Sequence, residues 1–217
     1  MLKRKKRERL LLLVKINTLG FPQGKRMNTD KLSKSISIQL NVPAPTFNLI
    51  DIFDREINLE NFRGKKVFIG FFRHAGCPFC NLRIRLLQKL KEELSENNLE
   101  MIFFFESTKE RLLDSNFHRK VNPIPIISDP QKEWYQVYGV QESLSKALLS
   151  HLTSFIQTAI KATVQGLPVQ YMRDGETIKT MPAEFLLDEN LVLRKLHYSS
   201  GLNDRMEVEE IVKFAKS

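Results

Sequence analysis

One stretch limits the fold of this chain more than any other. An almost unbroken apolar run, KKVFIGFFR (65–73), passes through HAGCPFC (74–80) directly into NLRIRLLQKLKEELSENN (81–98). A run of strand length without polar alternation has to be covered on both faces, so it predicts a central strand. Leu82, Ile84, Leu86, Leu87, Leu90 and Leu94 then recur at helical spacing. Pro78 stands where a helix can begin, because the N–H it lacks would have no partner in the first turn. The junction between strand and helix holds both cysteines of the chain, Cys77 and Cys80.

The flanking elements follow the same logic. FNLIDI and REINLENF predict a short hairpin turning at FDRE, and LEMIFFFES predicts a second buried strand with Phe103, Phe104 and Phe105 in the core. TKERLLDSNF reads as a helix capped by Ser107 or Thr108, IPIISD as a short strand, and PQKEWYQVYGV as a helical turn stopped near Gly139. There Trp134, Tyr135 and Tyr138 read as core, and Asp129 as an N-cap or turn residue. A long helix is expected over ESLSKALLSHLTSFIQTAIKAT (142–163), with Leu144, Leu148, Leu152, Phe155 and Ala159 as its core stripe. AEFLLDENLVLRKLHY predicts two strands joined at DEN, and DRMEVEEIVKFAK a closing amphipathic helix. Asp51 and Asp54 read as a solvated turn pair. This order is α/β with a central mixed β-sheet flanked by helices and an N-terminal hairpin extension.

Charge sharpens the domain reading. The net charge is +9, but residues 1–26 hold nine Lys or Arg and one acid, which leaves +1 for the rest. The body therefore has no charge-based case for nucleic acid or an anionic membrane. We read residues 1–36 as a basic, disordered segment and residues 37–217 as one domain. Leu10–Val14 is too short for a secretory core of roughly 7–15 apolar residues, so a basic anchor or weak signal is the lesser reading. No window approaches the roughly 18 apolar residues of a membrane span.

A Cys-x-x-Cys pair has three common meanings. Zinc needs four ligands, and His74, His118, His151 and His197 are isolated in sequence with no further cysteine. Two buried small hydrophobes are the plainest reading. A redox dithiol is the reading that position favours, because helix N-terminal N–H groups stabilise a thiolate and the thiolate is the attacking form. Arg73 and His74 add positive or proton-donating groups. Cys77 is expected as the exposed nucleophile, and Cys80, one turn on, as the resolving thiol.

The stretches KKVFIGFFRHAGCPFCNLRIRLL, IPIISDPQKEWYQVYGV and MPAEFLLDEN together resemble the peroxiredoxin-like proteins of the alkyl hydroperoxide reductase and thiol-specific antioxidant (AhpC/TSA) branch of the thioredoxin superfamily. The resemblance covers about residues 40–215. It implies a thioredoxin fold, and it implies that Pro182 is similar to the cis-proline that faces the cysteines in such proteins. Typical peroxiredoxins carry Pro, three residues, Thr or Ser, two residues, then the attacking Cys. With Cys80 last, Arg73 and Cys77 stand in the earlier places; with Cys77 last, Gly70 and His74 do. Neither register keeps the motif, and Pro182 also stands where peroxiredoxins carry an Arg, for which Arg73 is the substitute cation. The alignment through the threonine position makes Cys80 the attacker, whereas thioredoxin logic makes it Cys77.

The resulting expectation is a cytoplasmic thiol–disulfide oxidoreductase with an antioxidant role. It would act on a hydroperoxide or a protein disulfide and be restored by an external thiol reductant such as thioredoxin or glutathione. No organic cofactor and no metal are expected, and a homodimer is compatible. The other class of function is a non-enzymatic redox sensor or binding module.

Overall fold

The computed structural model describes residues 38–143, 155–173 and 176–217. The central sheet has the strand order β5-β4-β3-β6-β7, where β3 is Lys66–Phe72, β4 Leu99–Phe105, β5 Ile126–Ser128, β6 Ala183–Leu187 and β7 Leu193–Tyr198. β3, β4 and β5 run parallel, while β6 is antiparallel to both β3 and β7. The mixed sheet expected from the element order is therefore present. The predicted hairpin is also present, as β1 (Asn48–Ile50) paired antiparallel with β2 (Glu56–Asn58).

The apolar run of β3 is buried at all seven positions. Its alternate side chains feed two cores, as strand geometry requires. Phe68 and Phe72 join Phe103 and Phe105 beneath helix α1 (Pro78–Glu96), whose Ile84, Leu87 and Leu94 are fully buried. Val67, Ile69 and Phe71 face the opposite way with Ile102 and Phe104. There Phe71 stacks on Phe104 at 4.6 Å between ring centres. Each such ring contributes about 1.5–3 kcal/mol relative to exposure, so the two layers fix β3 in the middle of the molecule. That placement carries the cysteines, because α1 starts only six residues after β3 ends.

Several local expectations change. TKERLLDSNF forms two short helices, α2 (Lys109–Leu113) and α3 (Asn116–Arg119), because Ser115 adopts extended backbone (φ −91, ψ 119) and breaks the run before a new start. Thr108 does cap α2, its side chain accepting from Arg111 N. Helix α4 (Glu133–Val137) begins under the Asp129 carboxylate, which accepts from the N–H groups of Glu133 and Trp134 at 3.0 and 2.8 Å. Tyr135 and Tyr138 are buried. Asp51 is not solvated: it is 1% exposed and accepts from Phe53 N, Arg55 N and the Arg55 guanidinium, closing the β1–β2 turn. Asp54 is exposed as expected.

The long helix expected over 142–163 is described only as α5, residues 155–164. Leu144, Leu148 and Leu152 lie outside the described residues, as does the basic segment 1–36. Glu142 is not helical, because it bridges Thr180 in an antiparallel ladder closed by Ser143 N to Lys179 O and Met181 N to Gln141 O. Helix α6 (Val208–Ala215) closes the chain as expected. No helix among the described residues is long and apolar enough to cross a membrane.

Candidate active site

The end of β3 and the start of α1 bring the two cysteines together. Cys77 is the N-cap residue of α1, with extended backbone, and Pro78 occupies the first turn as its missing donor allows. Cys77 N donates to His74 O at 3.0 Å, and Asn81 N donates to Cys77 O at 3.0 Å. The first bond closes the turn; the second begins the helix. Cys80 lies inside the first turn, where its sulfur accepts from Arg73 N at 3.4 Å. Both thiols are free.

Arg73, the last residue of the apolar run, is only 1% exposed. Its Nη1 donates to Cys77 Sγ at 3.7 Å, while Nε and Nη2 have no hydrogen-bond partner. A guanidinium buried with unpartnered N–H groups is costly to the fold, and its place beside the sulfur gives it a use. His74 turns its imidazole another way, with Nδ1 3.8 Å from Glu176 Oε2.

These neighbours tune the thiols in opposite directions. Burial alone pushes the Cys77 thiol up, but hydrogen bonds from Cys80 and the positive charges of Arg73 and Arg205 outweigh it and lower Cys77 from 9.0 to about 6. Burial, and then the adjacent Cys77, push Cys80 well above its ordinary value. Cys77 is thus the thiolate of the pair near neutrality, and Cys80 the thiol.

The expectation that Cys77 is exposed is overturned: both cysteines are 0% exposed. The cover is the segment between α5 and β6. Gln170 N donates to Gly76 O at 3.2 Å, and Asn81 Nδ2 bridges Ala75 O and Pro168 O at 2.9 and 2.8 Å. A Cβ at Gly76 would lie 2.4 Å from Gln170 O, so only glycine admits this approach. Further along, Glu176 accepts from Ser107 Oγ, and Arg111 Nη2 donates to Tyr171 O at 3.1 Å. This strap lies over the cysteine turn.

The cis geometry implied for Pro182 is also overturned. Among the described residues the cis bond is Asn122–Pro123, and Met181–Pro182 is trans. The ladder of residues 179–181 with 141–143 delivers the chain already extended into β6, and Pro182 O accepts from Ser199 N at 3.0 Å, prolonging the pairing with β7. No turn remains for a cis bond to make.

Other site residues have no signal in the sequence. Arg205, from the loop between β7 and α6, acts electrostatically on both cysteines. It is held near Glu184 of β6, with Nε 3.9 Å from Oε1. Glu184, 0% exposed, also takes both Arg83 Nε and Nη2 at 2.8 Å and accepts from Met206 N. Glu106, at the end of β4, is held by Thr180 Oγ1 at 2.6 Å, and burial raises its pKa. These residues are remote in sequence and meet only when the sheet forms. Among the described residues, no group of three His, Cys, Asp or Glu is placed to hold a metal ion.

Comparison with known proteins bears on the fold and the family. The putative peroxiredoxin bcp of Haemophilus influenzae is 29% identical over 97 residues, 45% of this chain and 62% of that protein, so less than two thirds of its length is spanned. The thiol-disulfide oxidoreductase ResA of Bacillus cereus is 24% identical over 132 residues, 60% of this chain and 73% of that protein. Among solved structures, the reduced 2-Cys peroxiredoxin of Plasmodium vivax superposes with a TM-score of 0.55 at 19% identity, over 82% of this chain and 81% of that one. A putative thiol:disulfide interchange protein DsbE of Chlorobium tepidum gives 0.56 at 16%, over 83% and 100%. These superpositions establish a thioredoxin-type fold. The AhpC/TSA family model matches residues 40–196, well over half of the sequence, and the chain belongs to the AhpC/TSA family.

Proposed function

We propose that the protein is a thiol-dependent oxidoreductase that cycles Cys77 and Cys80 between dithiol and disulfide. The observation that carries this reading is the asymmetric pair: a low-pKa Cys77 at a helix N-cap beside a buried guanidinium, with a high-pKa Cys80 one turn away. With a hydroperoxide, the Cys77 thiolate attacks the O–O bond. One oxygen stays on sulfur as a sulfenic acid, and the other leaves as alkoxide and takes a proton to become the alcohol. The Cys80 thiol then attacks the sulfenic sulfur, releasing water and forming the disulfide. With a disulfide substrate, Cys77 forms a mixed disulfide and Cys80 displaces it, releasing the second thiol. In either case an external dithiol or two monothiols, such as thioredoxin or glutathione, return both electrons.

Arg73 takes the role of a polarising cation in this reading, because its Nε and Nη2 are unpartnered next to the sulfur. His74, Pro78 and Pro182 act as positioning residues of the turn, the helix start and the β6 entry. A reducing compartment, and so the cytoplasm, suits a chain whose two cysteines form one close pair and no disulfide scaffold. A homodimer is compatible with this assignment.

The test is stopped-flow Trp134 fluorescence of reduced protein mixed with hydrogen peroxide, beside Cys77→Ser and Cys80→Ser, with thiol titration as the direct readout. Cys77→Ser should abolish fast oxidation, while Cys80→Ser should retain one slow-resolving oxidation step. Loss in Cys80→Ser alone would reverse the roles; unchanged turnover in both variants would defeat the proposal. A second reading rests on the complete burial of both sulfurs. A non-enzymatic redox sensor would use the disulfide to displace the strap, and it would oxidise without turning over with any reductant.

A further inference from the structure

Beside the dithiol, on a different face of α1, lies a cavity of about 570 Å³. That volume is in the range of small-molecule sites. Its inner wall is Phe79, the residue between the two cysteines, and the same wall continues as Leu82 and Leu86 along the helix. Leu86 is 41% exposed, a large apolar side chain left facing the cavity mouth.

The mouth is basic. Arg85 and Lys89 of α1 and Lys161 of α5 line it, and among the described residues none of the three has an ion-pair or hydrogen-bond partner for its side chain. The acids lining the cavity are Asp204, Glu207 and Glu209. Asp204 is already engaged by His197 Nε2 at 2.9 Å and by Ser200, and Glu207 and Glu209 stand at the start of α6. Deeper in, Arg205 donates through Nη1 to Asp204 O, while its buried Nε and Nη2 have no hydrogen-bond partner. The cavity therefore runs from a ring of unpaired cations, over an apolar wall, to a buried cation next to the cysteine turn. Lys89 lies ten residues beyond Phe79, which at 1.5 Å per residue is about 15 Å of helix.

We infer that this cavity binds an aliphatic carboxylate, with the carboxylate at Arg85, Lys89 and Lys161 and the chain along Leu86, Leu82 and Phe79. Neither cysteine lines the cavity and both are 0% exposed, so a ligand held here is an effector beside the dithiol and not the group that the thiolate attacks.

The test is isothermal titration of the reduced full-length protein with octanoate, and with 1-octanol as the uncharged control. Arg85→Glu/Lys89→Glu and Cys77→Ser proteins are titrated alongside. The inference expects one octanoate per chain, at least tenfold weaker binding of 1-octanol, and at least tenfold loss in Arg85→Glu/Lys89→Glu. Both substituted residues are exposed on α1, and circular dichroism checks that the variant is folded. Cys77→Ser should bind as tightly as wild type, so binding is read independently of redox chemistry. No octanoate binding to wild-type protein, or equal binding in the charge-reversed variant, overturns the inference.

Discussion

Cys77 and Cys80 share one helical turn and one buried environment, yet they ionise in opposite senses. The difference lies in what each sulfur receives. Burial pushes both up, but Cys77 receives a hydrogen bond from Cys80 and has the guanidinium of Arg73 at 3.7 Å, whereas Cys80 receives a neutral backbone N–H from Arg73 and faces the negative charge of Cys77. Alkylation by iodoacetamide should therefore rise with pH about a midpoint near 6, set by Cys77. In Arg73→Met that midpoint should move up by roughly 1 unit or more, since an adjacent opposite charge typically lowers a thiol by that amount. The absorbance of the thiolate at acid and neutral pH checks it; an unmoved midpoint would remove Arg73 from the site. A second titrating residue lies away from the dithiol. His118 is fully buried between Phe105 and Phe117, and burial, then the Arg111 charge, hold it down to about 3. The unfolded chain takes this proton near 6.5 while the folded protein refuses it. Stability is thus lost as pH falls from about 6.5 towards 3, by up to about 1.4 kcal/mol per pH unit. His118→Leu should flatten that part of the acid limb in urea titrations at pH 7, 6, 5 and 4. The cysteines and Arg73 were legible in the sequence because they are neighbours in it. The role of His118 was not, because a lone histidine says nothing of the rings that enclose it.

At the scale of elements, the legible part is the part dictated locally. The apolar runs of β3 and β4 and the Cys-Pro start of α1 each carry their own reason to form. The strap does not: residues 167–173 have no periodicity, and they take their course from hydrogen bonds to Gly76, Asn81 and Arg111. Its presence turned an expected exposed thiol into a buried one. The strap also predicts its own removal. In Gly76→Ala the new methyl would meet Gln170 O at 2.4 Å, and a backbone atom cannot rotate away. The strap should shift, at a cost of about 1–3 kcal/mol for the forced repacking. Alkylation of Cys77 should then be faster than in wild type at the same pH, followed by mass spectrometry of the labelled peptide. Equal rates would mean that the strap already opens faster than the reagent reacts.

For the whole molecule, the decisive contacts join segments far apart in the chain. Glu184 on β6 takes Arg83 from α1 and the Met206 N–H from the C-terminal loop, so three segments converge on one buried carboxylate. The pattern of strands and helices was readable, since it follows from periodicity. This convergence was not, because Glu184 occupies a position that alternation alone would assign to a buried apolar residue. Its consequence for stability has a definite sign. Removing either partner of a buried pair strands the other charge, which costs about 3–5 kcal/mol. Arg83→Met and Glu184→Leu should each lower the urea midpoint by that equivalent. The double variant removes both charges together, so it should lose less than the two singles combined, with the shortfall measuring their coupling. Arg205, 3.9 Å from the same carboxylate, keeps Glu184→Leu from being fully offset by Arg83→Met. Strict additivity in the cycle would mean that α1 and β6 are held by their apolar faces alone.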